Sequence, residues 1–239
     1  MTNMVIDAGN THYKVGIFEH EVLIYNRAGL DLKGVREMID MYRPEYSIFS
    51  SVNIEFEEFM VDIGDIGPII SLSPKIPLPI SYHYHTPETL GMDRLAAAVG
   101  AQALYPGQDA LVIDMGTCIT YDWIDGNGVY QGGIISPGMR MRFQAMNRFT
   151  KRLPLLEPPR EATFLGKSTK ESMESGVMNG IIAEAEGIIA RYHNISPTMC
   201  VVLCGGDAAY FESRLKDTIF VVPQLVLIGL NRILIHNVV

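Results

Sequence analysis

The sequence predicts an α/β protein built from two related halves that face one another across a cleft. Two matched segments carry the expectation. Val5-Ile6-Asp7-Ala8-Gly9-Asn10-Thr11 and Val112-Ile113-Asp114-Met115-Gly116-Thr117 share one order of apolar strand, Asp, Gly and Thr, nearly half the chain apart. Each begins a strand–turn–strand meander, which is the mark of an internal duplication. A third observation joins them: Val201-Val202-Leu203-Cys204-Gly205-Gly206-Asp207 reads as a strand running through a Gly-Gly turn into a helix.

Taken in order, residues 4–7, 13–18 and 22–25 are apolar runs rich in β-branched and aromatic residues, separated by Gly9-Asn10 and by Glu19-His20-Glu21. Residues 32–42 carry Val35, Met38, Ile39 and Tyr42 at helical spacing and stop before Pro44. Strands are expected at 46–52 and 69–72, with a helix at 55–61 between them. Pro74, Pro77 and Pro79 stiffen the approach to a strand at 80–84. An Ala-rich helix follows over 94–104 and closes at Pro106-Gly107. Strands at 110–114 and 119–124, the turn Gly126-Asn127-Gly128 and a third strand repeat the opening, and a helix is expected over 208–215. The division falls at residues 1–108 and 109–239.

Net charge is −8, from 27 acidic and 19 basic residues, with no block of Lys and Arg. That balance argues against a nucleic-acid surface or an anionic membrane surface. The longest apolar stretch, 220–230, contains Pro223 and Gln224 and is too short for a span. The opening residues have no basic region followed by a long apolar run, and three cysteines cannot all pair with one another. A reduced, cytoplasmic protein is the expectation.

The chemistry lies in the turns. Glycine after a strand lets backbone amides and a small hydroxyl approach phosphate oxygens. An aspartate at the strand end can hold a cation that screens an oligophosphate. One such turn is usually only a turn, whereas two at matched strand ends point to a bound nucleotide. The Gly205-Gly206 turn suits a ribose or an α-phosphate. Asp93 falls at the start of the Ala-rich helix, where the dipole favours a carboxylate. His83 and His85 lack a third zinc ligand at suitable spacing, Cys200 and Cys204 read as packed thiols, and Met139, Met141 and Met146 read as core or interface filler. Gly176 and Gly180 mark a close helix approach, internal or at a subunit seam.

Together the three turns form the pattern of the actin, sugar kinase and Hsp70 superfamily, with its ribonuclease H-like domains. The chain further resembles the type III pantothenate kinases in Asp7-Ala8-Gly9-Asn10-Thr11, Tyr84-His85-Thr86-Pro87, Gly91-Met92-Asp93-Arg94 and Asp114-Met115-Gly116-Thr117. The resemblance continues in Gly132-Gly133-Ile134-Ile135-Ser136-Pro137-Gly138, in Thr169, and in Gly205-Gly206-Asp207. It implies ATP-dependent phosphorylation of pantothenate to 4′-phosphopantothenate, the first step toward coenzyme A.

It also implies an ATP site at Asp7, Ala8, Gly9, Asn10, Thr11, His12, Tyr13, Lys14 and Thr117, with Asp7 on the nucleotide's Mg²⁺. Asp114 would hold K⁺ or NH₄⁺. Tyr84, Gly91, Met92, Asp93 and Arg94 would bind pantothenate, with Asp93 as the base. Thr169 would reach the neighbouring subunit's substrate in a homodimer. Arg94 suits a carboxylate because guanidinium pairs with it through two parallel bonds. Three departures from the family pattern are Met92 in place of the usual Ala, Cys204 in place of Thr, and Ile228 where an acidic residue is common. Two alternatives remain open: a nucleotide-binding regulator without catalysis, and a sugar- or acetate-type kinase of the same superfamily.

Overall fold

The computed structural model describes residues 1–9, 12–51 and 54–239. Its contacts divide into two units. The first comprises Met1–Gly107, Gly126–Gln131 and Gln224–Val239, and the second comprises Gln108–Asp125 and Gly132–Pro223. The contiguous division expected at residue 108 is therefore crossed twice, most notably by the last helix, which packs with the first unit.

In the first unit, β1 (Thr2–Ala8), β2 (Tyr13–Glu19) and β3 (Val22–Leu30) form an antiparallel meander. Next, α1 (Leu32–Tyr42) leads to β4 (Tyr46–Ser51), and α2 (Phe56–Ile63) leads to β5 (Ile69–Ser71). Strands β4 and β5 add in parallel, giving the order β3-β2-β1-β4-β5. Asp31 starts α1 by accepting from the Gly34 amide at 2.8 Å.

The period of two along β1 sorts its side chains. Met4, Ile6 and Ala8 join Val35, Met38 and Phe59 in one core. Asn3 lies on the opposite face, where its Nδ2 donates to Asn231 Oδ1 at 2.8 Å on α7 (Leu225–Val238). Asp7 shares the pleat face of Asn3 and Val5, the face that α7 covers.

Helix α3 (Met92–Leu104) packs against α7. The two backbones nearly touch at Gly100 and Gly229. A Cβ added at Gly229 would lie 1.7 Å from the Ala96 carbonyl oxygen, and one at Gly100 would lie 2.4 Å from the Leu225 oxygen. Only glycine fits either place. The short strand β6 (Ser81–Tyr82) pairs in parallel with Val129 and Tyr130.

The second unit repeats the first in connectivity. Strands β7 (Ala110–Met115) and β8 (Cys118–Ile124) are antiparallel, and β9 (Val129–Pro137) follows β8 in the sheet. Strands β10 (Cys200–Cys204) and β11 (Ile219–Val221) add in parallel on the far side of β7. The order β9-β8-β7-β10-β11 is that of the first sheet, strand for strand. The duplication seen in the Asp7-x-Gly-x-Thr and Asp114-x-Gly-Thr turns is thus a duplication of topology.

Helices α4 (Met139–Phe149) and α5 (Thr169–His193) cover one face of this sheet, burying Leu111, Ile113, Phe143, Val177 and Ile181. The short α6 (Ala208–Phe211) passes into a 3₁₀ turn at Glu212–Arg214, shorter as an α-helix than the expected 208–215. Asp114 alternates with Ile113 and Met115 along β7, so it points away from the α4 and α5 face.

Several boundaries move. The Ala-rich helix begins at Met92 rather than near Arg94, with Gly91 at the capping position. Asp93 therefore lies within the first turn. The expected strand 80–84 shortens to Ser81–Tyr82, so His83 and His85 lie beyond it. Residue 52, the expected end of β4, is outside the described residues. Two helices were not foreseen: α4, treated as filler, and α7, treated as an apolar stretch. No helix among the described residues is long and apolar enough to cross a membrane.

Candidate functional site

In the first unit the site begins where β1 ends. Asp7 is paired across the sheet with Lys14 of β2, and Ala8 with Tyr13. The turn between them is held by the Gly9 amide donating to the His12 carbonyl at 3.1 Å. Asn10 and Thr11, both expected to contact ATP, lie outside the described residues. Tyr13 is 8% exposed, with its ring 6.0 Å from that of Phe59. His12 is exposed.

Burial is the main reason the Asp7 carboxyl rises from its ordinary 3.8 to about 6. Lys14 pulls it down, and the nearby Asp93 carboxylate pushes it up. The influence of Asp93 ties the substrate loop to the first phosphate turn. The approach follows from the fold: α3 rests on α7, and α7 covers the face of β1 that carries Asp7.

A raised carboxyl has a definite sign. The fold favours protonated Asp7, so its contribution to stability is full below about pH 4 and is lost as pH rises through about 6. Asp7→Asn removes that loss. We expect the variant's stability relative to the parent chain to grow by about 2 kcal/mol between pH 4 and pH 8. Urea unfolding at the two pH values measures it, and an unchanged difference would refute the buried, raised Asp7.

The remainder of the expected substrate loop is local. Tyr84 follows β6, with its ring 6.4 Å from Tyr130. Residues Pro87–Thr89 make a 3₁₀ turn ending on buried Leu90. A Cβ at Gly91 would stand 2.5 Å from Asp93 Oδ1, so a side chain there would displace that carboxylate. Asp93 Oδ1 accepts from the Arg94 amide at 2.9 Å, inside the positive end of α3. Asp93 is exposed, Met92 half-buried and Arg94 7% exposed.

The second unit carries its own turn. Asp114, one residue before the end of β7, lies against Gly205, which has φ +92° and no room for a side chain: a Cβ would meet Asp114 Oδ1 at 2.4 Å. Thr117 is exposed, and its carbonyl accepts from the Gly138 amide at 3.1 Å. Gly138 also fits only as glycine, its added Cβ lying 2.3 Å from the Thr117 oxygen.

Sequence reasoning missed what steadies Gly138. Arg142 donates from Nε to the Pro137 carbonyl at 2.8 Å and from Nη2 to Ser136 Oγ at 3.1 Å. It also pairs with Glu184 Oε2 at 2.7 Å, while Glu184 Oε1 accepts from the Tyr121 hydroxyl at 3.0 Å. Burial first, and then Glu184, push the Tyr121 phenol far up. These partners come from α4, α5 and β8, so no local motif announces them.

Thr169 is the first residue of α5 and is exposed. Ser168 caps the helix by accepting from the Glu171 amide at 3.2 Å, and Glu171 in return accepts from the Lys167 amide at 2.7 Å. Among the described residues, beyond the helix's own adjacent backbone, nothing lies within 4 Å of a Cβ added at Gly176 or Gly180. Among the described residues no group of three His, Cys, Asp or Glu side chains could hold a metal ion.

The family model of type III pantothenate kinases fits residues 3–191. A type III pantothenate kinase of Cytophaga hutchinsonii is 43% identical over 236 residues, covering 99% of this chain and 100% of its own. Among solved structures, a protein of Campylobacter jejuni described as a Baf family transcriptional activator gives a TM-score of 0.63 at 19% identity, covering 98% of both chains. The ROK hexokinase of Thermus thermophilus gives 0.54 at 13% identity over 100% of each chain. At those identities the structures speak for the fold alone, which is the α/β fold of the actin-like ATPases and sugar kinases.

Proposed function

The chain belongs to the type III pantothenate kinase family, and from that premise we propose that it transfers the γ-phosphoryl group of ATP to the 4′-hydroxyl of pantothenate. The product is 4′-phosphopantothenate, on the route to coenzyme A. The observation that supports the reading is that the charge of Asp93, in the expected substrate loop, is felt at Asp7, in the expected phosphate turn, as the least of the three influences on its carboxyl.

Asp93 accepts the hydroxyl proton as the pantothenate oxygen bonds to phosphorus and the bond to ADP breaks. The transition state is loose, so positioning and charge screening contribute more than base strength. Lys14, opposite Asp7, faces the polyphosphate, and the glycine turn after β1 offers it backbone amides. Arg94 takes the pantothenate carboxylate, with Tyr84, Gly91 and Met92 shaping the rest of that pocket.

The donor set suits Mg²⁺ brought in with ATP. Magnesium is commonly held by one or two carboxylates together with phosphates and water, and a buried carboxylate with a raised pKa beside a second one gains from a cation. Bound there, Mg²⁺ would screen the β- and γ-phosphates. Asp114 holds K⁺ or NH₄⁺ in this reading, supported by its place near the strand end against Gly205. Thr169 reaches the substrate of a second copy, which makes the enzyme a homodimer; its exposure at the start of α5 is compatible with that. A cytoplasmic location belongs to the same proposal.

Purified protein incubated with pantothenate, ATP, Mg²⁺ and K⁺ is expected to yield 4′-phosphopantothenate, read by mass spectrometry. Dependence on K⁺ or NH₄⁺ would support the Asp114 role. No product from folded protein across several donors and cations would overturn the kinase reading.

A further inference from the structure

Arg142 and Glu184 form an ion pair between α4 and α5, with Nη2 2.7 Å from Oε2 and the two side chains 20% and 27% exposed. A pair this open to water ordinarily contributes little to stability. The remaining donors of Arg142 give the pair another use. Its Nε donates to the Pro137 carbonyl at 2.8 Å, and Nη2, which carries two protons, also reaches Ser136 Oγ at 3.1 Å. Pro137 has no amide proton of its own, so the end of β9 is held here through a carbonyl and a hydroxyl.

The segment so clamped supports the second glycine turn. Gly138 comes next in the chain, and its amide donates to the Thr117 carbonyl at 3.1 Å. A Cβ added to it would lie 2.3 Å from the Thr117 oxygen and 2.5 Å from the Gly116 oxygen. The Gly138 carbonyl in turn accepts from the Arg142 amide at 3.0 Å, the first bond of α4. Arg142 therefore grips residues 136–138 by backbone and side chain together, and a shift there passes straight to Gly116 and Thr117.

The other end of the clamp is fixed as well. Tyr121 is fully buried on β8 and donates its hydroxyl to Glu184 Oε1 at 3.0 Å. Burial first, and then Glu184, push that phenol far up, so it stays protonated and donates. Glu184 holds Tyr121 with one oxygen and Arg142 with the other, and turning away would break both bonds. Gly116 and Thr117 open onto a hollow of about 430 Å³ that Arg140 and Gln144 of α4 also line, whereas Arg142 does not.

We propose that Arg142 is a positioning residue for nucleotide binding: anchored by Glu184 and Tyr121, it fixes residues 136–138 and through them the Gly116–Thr117 turn. The inference rests on the kinase reading, in which Thr117 contacts the nucleotide phosphates, but its test is nucleotide binding, which needs no turnover. Calorimetry with Mg²⁺·ATP compares the unmodified protein with Arg142→Ala, Arg142→Lys, Glu184→Ala and the double variant Arg142→Ala/Glu184→Ala.

Arg142→Ala is expected to weaken ATP binding about tenfold, the scale of one hydrogen bond to a charged group. Lysine brings the charge without the planar fork, so Arg142→Lys should restore only part of the affinity. Glu184→Ala should weaken ATP binding while Arg142 is present and change nothing once it is gone. A general loss of stability would not produce that dependence. Tyr121→Phe removes one hydroxyl and keeps the buried ring, and should weaken ATP binding about threefold; it carries the test if the alanine variants do not fold. Unchanged ATP affinity in the folded variants overturns the proposal, as does a Glu184→Ala loss that adds in full to that of Arg142→Ala. The expected losses without any 4′-phosphopantothenate formed by the unmodified protein would uphold the clamp and sink the kinase reading instead. Failure of the unmodified protein to bind ATP would sink both.

Discussion

Asp93→Asn is expected to lower kcat by about 10²- to 10⁴-fold, the usual range for loss of a positioned general base. The substitution preserves shape and leaves an oxygen able to accept from the Arg94 amide, the 2.9 Å bond made by Asp93 Oδ1. The start of α3 should therefore survive, and ATP should still bind. Removing the charge also relieves the repulsion that helps raise Asp7, so the Asp7 carboxyl should titrate lower in the variant. The two consequences separate the roles of Asp93. Steady-state kinetics with pantothenate report the catalytic one, and stability against pH reports the electrostatic one. Unchanged kcat would remove Asp93 from the base role, even if the Asp7 titration moved as expected.

The second large effect concerns stability. Gly229→Ala should destabilise the protein by on the order of 3 kcal/mol, the upper part of the usual range for overpacking. The reason is the 1.7 Å approach of the added Cβ to the Ala96 oxygen, which only a backbone shift of α7 or α3 can relieve. The helix preference of Ala over Gly, about 1 kcal/mol, opposes this and does not cancel it. For a chain of this size the midpoint of thermal unfolding should fall by roughly 6–12 °C. Gly187→Ala is the control: it lies in α5 with nothing within 4 Å of the added Cβ, and should leave the midpoint level or raise it. A Gly229→Ala protein as stable as its parent would mean the α3–α7 seam is looser than described. Since α3 carries Asp93 and Arg94, the same substitution should also raise the pantothenate KM.

The sequence shows the duplication plainly because its signal is local. Strand, Asp and Gly fall within seven residues at Asp7 and again at Asp114, and both sheets have the order those segments suggest. The start of α5 is local too, written in Ser168 and Glu171. The roles of Tyr84, Gly91 and Thr169 were reached through resemblance rather than through their own chemistry. Helix α7 was missed because Leu225–Val238 is apolar over most of its surface and shows little of the one-sided period that marks a surface helix. Burial on several sides explains that: it covers β1, α3 and β4 at once. The elevated carboxyl of Asp7 could not be read at all, since it depends first on burial by tertiary packing and only then on the charges of Lys14 and Asp93.

The order in which the chain is made gives α7 a further meaning. Strands β1 to β5 and helix α3 leave the ribosome long before α7, which follows the whole second unit. Until α7 arrives, the α3 surface around Ala96 and Gly100 and the β1 face carrying Asn3 and Val5 have no partner from that helix. The second unit, nearly continuous in sequence, can fold first. Closing the first unit then requires a contact across most of the chain, the kind of long-range step that slows folding. Helix α3 should therefore be among the last elements to become rigid, and a nascent chain should acquire its second glycine turn before the carboxylate proposed as the base.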